Sequence, residues 1–218
     1  MLSQQKRIDI AKRIAAEFED GQIINLGVGI PTLIPDYIEG KDVYLHSENG
    51  LLGMGPTPEE EFINMDLISA SKKPVTLNTG ASIFDSSDSF LMIRGGHVDV
   101  AVLGALQVDE TGEVANWAVP GQNILGVGGA MDLVSGAKKI IIATLHTSKD
   151  DTPKLLEELT YPSSGARKVD MVVTEHAAFE FKEGKMFLRE ILSDISMEAL
   201  KDITPANYEV AIEKLINT

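Results

Sequence analysis

The sequence predicts an α/β protein: a mainly parallel sheet flanked by helices, with a C-terminal hairpin and helix appended. Three observations carry this expectation. Helical and extended patterns alternate along the chain, the order produced when crossover helices link parallel strands. The extended segments are near-continuous Val and Ile runs, as suits strands covered on both faces. Glycines cluster where strands give way to helices.

Residues 3–20 set Ile10, Ile14 and Phe18 on one helical face, and Gly21 follows as a terminator. Residues 22–26 form a strand-length apolar run that ends in Gly27-Val28-Gly29. Pro31 suits the first turn of a helix, predicted over 31–39. A second strand is predicted at 42–46, and further strands at 75–78, 98–103, 140–145 and 169–174. Helices are expected at 86–93, 153–158, 197–202 and 206–216. Residues 178–189 alternate about Glu183-Gly184 and read as the hairpin. No Pro-, Gly- or Ser-rich linker, repeat or low-complexity tract interrupts the pattern, so 1–218 reads as one domain.

Composition excludes several functions. The chain has 218 residues, 44% apolar and 24% charged, the balance of a soluble globular protein. No apolar run approaches the roughly 18 to 20 residues of a membrane span. The first residues lead into a charged amphipathic stretch rather than a secretory core, and a cytoplasmic setting is expected. A net charge of −14 argues against nucleic acid or an anionic membrane as partner. Cysteine is absent, which removes disulfides, thiol catalysis and cysteine-based metal sites. Gly-x-Ser-x-Gly, Walker and His-Glu-x-x-His motifs are all missing, so no metal is expected. The four histidines are scattered and read as structural or solvated.

Three glycine clusters remain: Gly27-Val28-Gly29, Gly95-Gly96, and Gly126-Val127-Gly128-Gly129. Such clusters let a ligand approach the backbone, and they also simply make tight turns. The first, with Glu48 about twenty residues on, has the outline of a dinucleotide-binding fingerprint. Thr32 replaces its third glycine and Pro31 lacks an N–H, so the match is weak. A non-catalytic nucleotide-binding subunit stands as one alternative.

The stretch Leu45-His46-Ser47-Glu48-Asn49-Gly50-Leu51-Leu52-Gly53 says most about chemistry. Asn-Gly favours a tight turn with positive φ, and a carboxylate just before it would sit on a stiff support at the end of a buried strand. Glu48 is either an acid decorating a turn or a nucleophile that accepts an acyl group. Nucleophilic use needs donors aimed at the developing oxyanion, and the Gly128-Gly129 peptides are candidates if their loop folds beside Glu48.

This nonapeptide resembles the active-site signature of the second subunit of family I CoA-transferases, which act on 3-oxoacids, acetoacetate or butyrate. Leu26-Gly-Val-Gly-Ile-Pro-Thr32, Met92-Ile-Arg-Gly-Gly-His-Val98, Leu103-Gly-Ala-Leu-Gln-Val108, Ala115-Asn-Trp117 and Gly128-Gly-Ala-Met-Asp-Leu-Val134 follow in that family's order. The resemblance extends to about Leu192. It implies ping-pong transfer of CoA from a short acyl-CoA to a free carboxylate through a glutamyl–CoA thioester, with Glu48 as the catalytic carboxylate. Coenzyme A would be a co-substrate, with no permanently bound cofactor. Gly129 matches a glycine whose N–H lies at the oxyanion site, and Asn25 a polar residue near the carboxylate. Lys72 falls where some relatives have an active-site lysine, although Ser71-Lys72-Lys73-Pro74 departs from their glycine-containing segment. The Gly-Gly-Phe-Gly loop of the family's other, A-type subunit is missing, which implies that this chain is the B-type partner in a hetero-oligomer of the two. An acyl-CoA thioester hydrolase is the other alternative.

Overall fold

The computed structural model describes residues 2–121, 128–165 and 167–211. In chain order its elements are α1 (Leu2–Ala15), β1 (Ile23–Leu26), a 3-10 helix (Ile30–Tyr37), β2 (Tyr44–Ser47), β3 (Leu51–Met54), a short 3-10 turn (Glu60–Phe62), β4 (Leu77–Ile83), α2 (Ser86–Arg94) and β5 (Val100–Leu103). There follow β6 (Gln107–Asp109), β7 (Val114–Ala115), α3 (Ala130–Gly136), β8 (Lys139–Ala143), β9 (Leu155–Leu156), β10 (Met171–Val173), β11 (Ala177–Lys182), β12 (Lys185–Ile191), α4 (Met197–Asp202) and β13 (Glu209–Val210).

One 10-stranded sheet runs β13-β12-β11-β10-β8-β5-β1-β2-β3-β4, and a 3-stranded sheet runs β7-β6-β9. The centre of the large sheet, from β10 to β2, is parallel throughout. Antiparallel hairpins extend it on both sides. Alternate side chains of the central strands feed two cores. Val100, Val102, Ile141 and Val173 pack with α1 and the 3-10 helix, whereas Ala101, Ile140, Ile142 and Val172 join Ile93, Leu133 and Phe179 on the other face. Burial on both faces is why these strands read as unbroken Val and Ile runs. Ion pairs fasten α1 across the sheet: Arg13 holds Glu17 at 2.9 Å and Glu190 at 2.6 Å, and Lys139 reaches Glu17 at 2.8 Å. Burial alone would raise the Glu17 carboxyl, but the hydrogen bonds from Lys139 and Arg13 hold it below its ordinary value.

From β1 the chain crosses to β2 on the α1 face, and from β5 to β8 through α3 on the opposite face. The strand order thus reverses direction between β1 and β5, and in open α/β sheets ligands bind beyond the carboxyl ends at such a point. Both Asn25 and Glu48 lie at that edge. Among the described residues, no helix is long and apolar enough to cross a membrane.

Several expected elements take other forms. Residues 153–158 are not a helix: Leu155 is fully buried and pairs in parallel with Val108, so a two-residue strand stands where the helix was expected. The helix expected at 206–216 begins instead with β13, whose Glu209 and Val210 pair with Phe187 and Leu188; its positions from 212 on lie outside the described residues. The helix of 31–39 is a 3-10 helix with Pro35 inside it, since proline withholds the N–H that an α-helical turn would use. The strand foreseen at 75–78 runs Leu77–Ile83 as the sheet's edge. The hairpin expected at 178–189 forms as β11 and β12, and it is added to the main sheet through the pairing of β11 with β10.

Candidate active site

β2 lies beside β1 in parallel, with Asn25 opposite His46. After Ser47 the chain reverses within three residues, closed by the Gly50 N–H donating to the Ser47 carbonyl at 2.9 Å. Gly50 adopts φ +112°, the positive value that the Asn-Gly pair predicts. Glu48 occupies the first place of this turn. Its neighbours in the motif clamp a second segment: the Ala70 N–H donates to Ser47 Oγ at 2.9 Å, and Asn49 Nδ2 donates to the Ile68 carbonyl at 2.7 Å. A carboxylate held in this way has little freedom beyond its own side-chain torsions.

Glu48 is half-buried, and among the described residues no cation pairs with it. Asn25, fully buried, donates from Nδ2 to Glu48 Oε2 at 3.2 Å. The same Nδ2 lies 3.1 Å from His46 Nδ1 and 3.4 Å from the His46 carbonyl. His46 Nε2 reaches Ser89 Oγ on α2 at 2.9 Å. Burial pushes the His46 pKa down to about 4, so the ring is neutral near pH 7. Glu48 Oε1 accepts no hydrogen bond among the described residues. One carboxylate oxygen is therefore oriented by Asn25, and the other has no partner among the described residues.

Gly129 closes the other side. A Cβ built there would stand 3.4 Å from Glu48 Cγ and 3.5 Å from the Phe90 ring. Gly129 precedes α3, which is tied to α2 by Arg94–Asp132 at 2.6 Å and packs so closely that a Cβ at Gly136 would lie 2.2 Å from the Ile93 carbonyl. Gly128 adopts φ +56° immediately before it. The third glycine cluster thus arrives beside Glu48; its first members, Gly126 and Val127, lie outside the described residues.

Lys72 is exposed, on a left-handed turn (φ +60°) whose N–H donates to the Ser69 carbonyl at 2.8 Å. Ser47 and Asn49 bring this turn to the Glu48 loop, but Lys72 forms no ion pair with Glu48. On the far face of β2 lies a cavity of about 640 Å³ lined by Leu26, Thr32, Leu45, Ser47, Met54 and Lys73 among others; Glu48 does not line it. Sequence reasoning makes His46 a structural histidine and passes over Ser89 and Phe90. Only the closeness of His46 to Glu48 in the chain points to it.

Residues 7–202 match the profile of the coenzyme A transferase family. The chain is 47% identical over 205 residues to the beta chain of the acetate CoA-transferase of Escherichia coli, covering 94% of each. It is 44% identical over 203 residues to the B-type chain of the succinyl-CoA:3-ketoacid coenzyme A transferase of Helicobacter pylori, covering 93% of this chain and 98% of that one. Against the human mitochondrial succinyl-CoA:3-ketoacid coenzyme A transferase 2 it is 45% identical over 211 residues, spanning 41% of that longer protein. The fold superposes on an Escherichia coli acyl-CoA transferase with TM-score 0.76 at 24% identity, over 94% of this chain and 42% of that one. On glutaconate coenzyme A-transferase of Acidaminococcus fermentans the TM-score is 0.73 at 17% identity, over 97% and 90%. The chain belongs to the coenzyme A transferase family. Within it, the relatives that this chain matches over 93 to 94% of its length are named as the beta or B subunit.

Proposed function

We propose that this chain, paired with an A-type subunit in the cytoplasm, moves CoA from a short acyl-CoA of the 3-oxoacyl type to a free short carboxylate, with Glu48 as the covalent carrier. The observation that carries the reading is the setting of Glu48: a half-buried carboxylate with one oxygen bonded to Asn25, the other without a partner among the described residues, and Gly129 against its side chain. Relatives named for two-subunit enzymes support the partner. A similarly folded Escherichia coli transferase has been crystallised as a thioester complex with CoA, which supports the intermediate.

The cycle follows from carboxylate chemistry. Glu48 Oε1 attacks the donor thioester carbonyl; the C–S bond breaks, giving a mixed anhydride and CoA thiolate. The thiolate attacks the Glu48 carbonyl, releasing the donor's acid and leaving a glutamyl–CoA thioester. The acceptor carboxylate runs the two steps in reverse, and Glu48 returns as a carboxylate. One thioester replaces another, so no ATP or redox cofactor is needed. Each addition places negative charge on a former carbonyl oxygen, and the Gly128 and Gly129 N–H groups are the donors assigned to it. Losing one such donor costs about 3 to 4 kcal/mol of barrier.

The test offers the reconstituted pair an acyl-CoA with acetate, butyrate, succinate or acetoacetate. New acyl-CoA should form in step with donor consumed, and only when an acceptor is present. Free CoA accumulating without any acceptor would identify a hydrolase instead.

A further inference from the structure

We propose that His46 and Ser89 are positioning residues for Glu48: their hydrogen-bond chain fixes which end of the Asn25 amide faces the carboxylate. The inference rests on the reading of Glu48 as nucleophile. The chain runs Ser89 Oγ to His46 Nε2 at 2.9 Å, His46 Nδ1 to Asn25 Nδ2 at 3.1 Å, and Asn25 Nδ2 to Glu48 Oε2 at 3.2 Å. Ser89 and Asn25 are wholly buried and His46 is 1% exposed, so bulk water does not compete for these bonds.

An amide offers two chemically opposite ends. Its NH2 supports a carboxylate, whereas its oxygen repels one. The Asn25 nitrogen touches Glu48 and the His46 ring at once, with the His46 carbonyl at 3.4 Å, so the ring is the one of these neighbours that can change from acceptor to donor. A neutral imidazole carries one N–H. With that proton on Nε2, the ring donates to Ser89 Oγ and its Nδ1 lone pair accepts from Asn25; the NH2 then also faces Glu48. With the proton on Nδ1, donor would meet donor. The amide would turn its oxygen to the ring, and that same oxygen would face the carboxylate. Ser89 supplies the acceptor that a buried Nε2–H requires, since leaving such a donor unpaired is costly. Burial also keeps the ring uncharged near pH 7, so the choice lies between two neutral tautomers.

The test uses the assembled enzyme with nitrogen-15 histidine in this chain alone. His46 should show an unprotonated Nδ1 and a protonated Nε2. In Ser89→Ala the ring should move toward the Nδ1-protonated form, and kcat should fall about tenfold while KM for acyl-CoA stays within about twofold. His46→Gln, which has one amide acceptor and one amide donor, should keep kcat within about threefold of the unaltered enzyme, whereas His46→Leu should lose at least about tenfold. A proton found on Nδ1, an unchanged kcat in folded His46→Leu, or equal losses in His46→Gln and His46→Leu would overturn the proposal. Should the unaltered enzyme carry no CoA on Glu48, the nucleophile reading fails. The tautomer, and the ratio of His46→Gln to His46→Leu, still judge the positioning chain by itself.

Discussion

Glu48→Ala should reduce CoA transfer at least about a thousandfold while leaving the chain folded. The side chain is half-buried, and its described polar contact is the single bond from Asn25, which keeps His46 as a partner when Glu48 is gone. A Cβ built at Gly129 would stand 3.4 Å from Glu48 Cγ, so the glycine lies close beside the half-buried side chain. Truncation therefore opens no large cavity, and stability should change by no more than about 1 kcal/mol. Glu48→Gln should be as inactive, because an amide of the same shape is not a nucleophile. Initial rates and melting temperature measured on the same preparation separate chemistry from folding. Turnover near normal in either variant would place the chemistry at another residue.

Gly50→Ala should damage both stability and activity. At φ +112° an L side chain is strained, and a Cβ would stand 2.0 Å from the Phe84 carbonyl oxygen. That neighbour is backbone and has little room to yield, because the Phe84 N–H donates to the Gly50 carbonyl at 3.0 Å. The Phe84 ring stacks on His46 with centroids 6.4 Å apart, and Asp85 caps α2 by accepting from the Ser87 N–H at 2.8 Å. Relieving the clash thus moves the Glu48 turn, the His46 ring and the start of α2 together. The expected cost is about 3 kcal/mol or more, read as a lowered melting temperature, with a further loss of turnover in the folded fraction. Gly40→Ala is the control: its φ is +81°, yet a Cβ there meets nothing within 4 Å. It should show backbone strain alone, about 1 to 2 kcal/mol. If both variants behave alike, the close approach at Phe84 has no energetic weight.

The legible parts of the fold are those whose environment is uniform along the chain. Val100–Leu103 and Lys139–Ala143 are covered on both faces, so their runs of Val and Ile announce them. Leu155–Leu156 and Glu209–Val210 escape such reading because two residues have no period of their own; partners distant in sequence, Val108 and Phe187 among them, make them strands. At the site, the Ser47–Gly50 turn can be foreseen because its cause is local. Asn25 comes from resemblance alone and Gly129 from its glycine cluster and the resemblance together, and only the packing of β1 and α3 places them against Glu48. Ser89 leaves no signal. It is 43 residues from His46 and reads as an ordinary polar position in a short helix, while its hydrogen bond is a product of how α2 lies on the sheet.

In the proposed cycle Glu48 holds coenzyme A for part of every turnover. Mixing the two-subunit enzyme with acyl-CoA and no acceptor, digesting it, and weighing the peptides tests this directly. CoA should be found bound by a thioester to the peptide carrying Glu48 and released when a short carboxylate is added. CoA on a different peptide, or none on any, would contradict it.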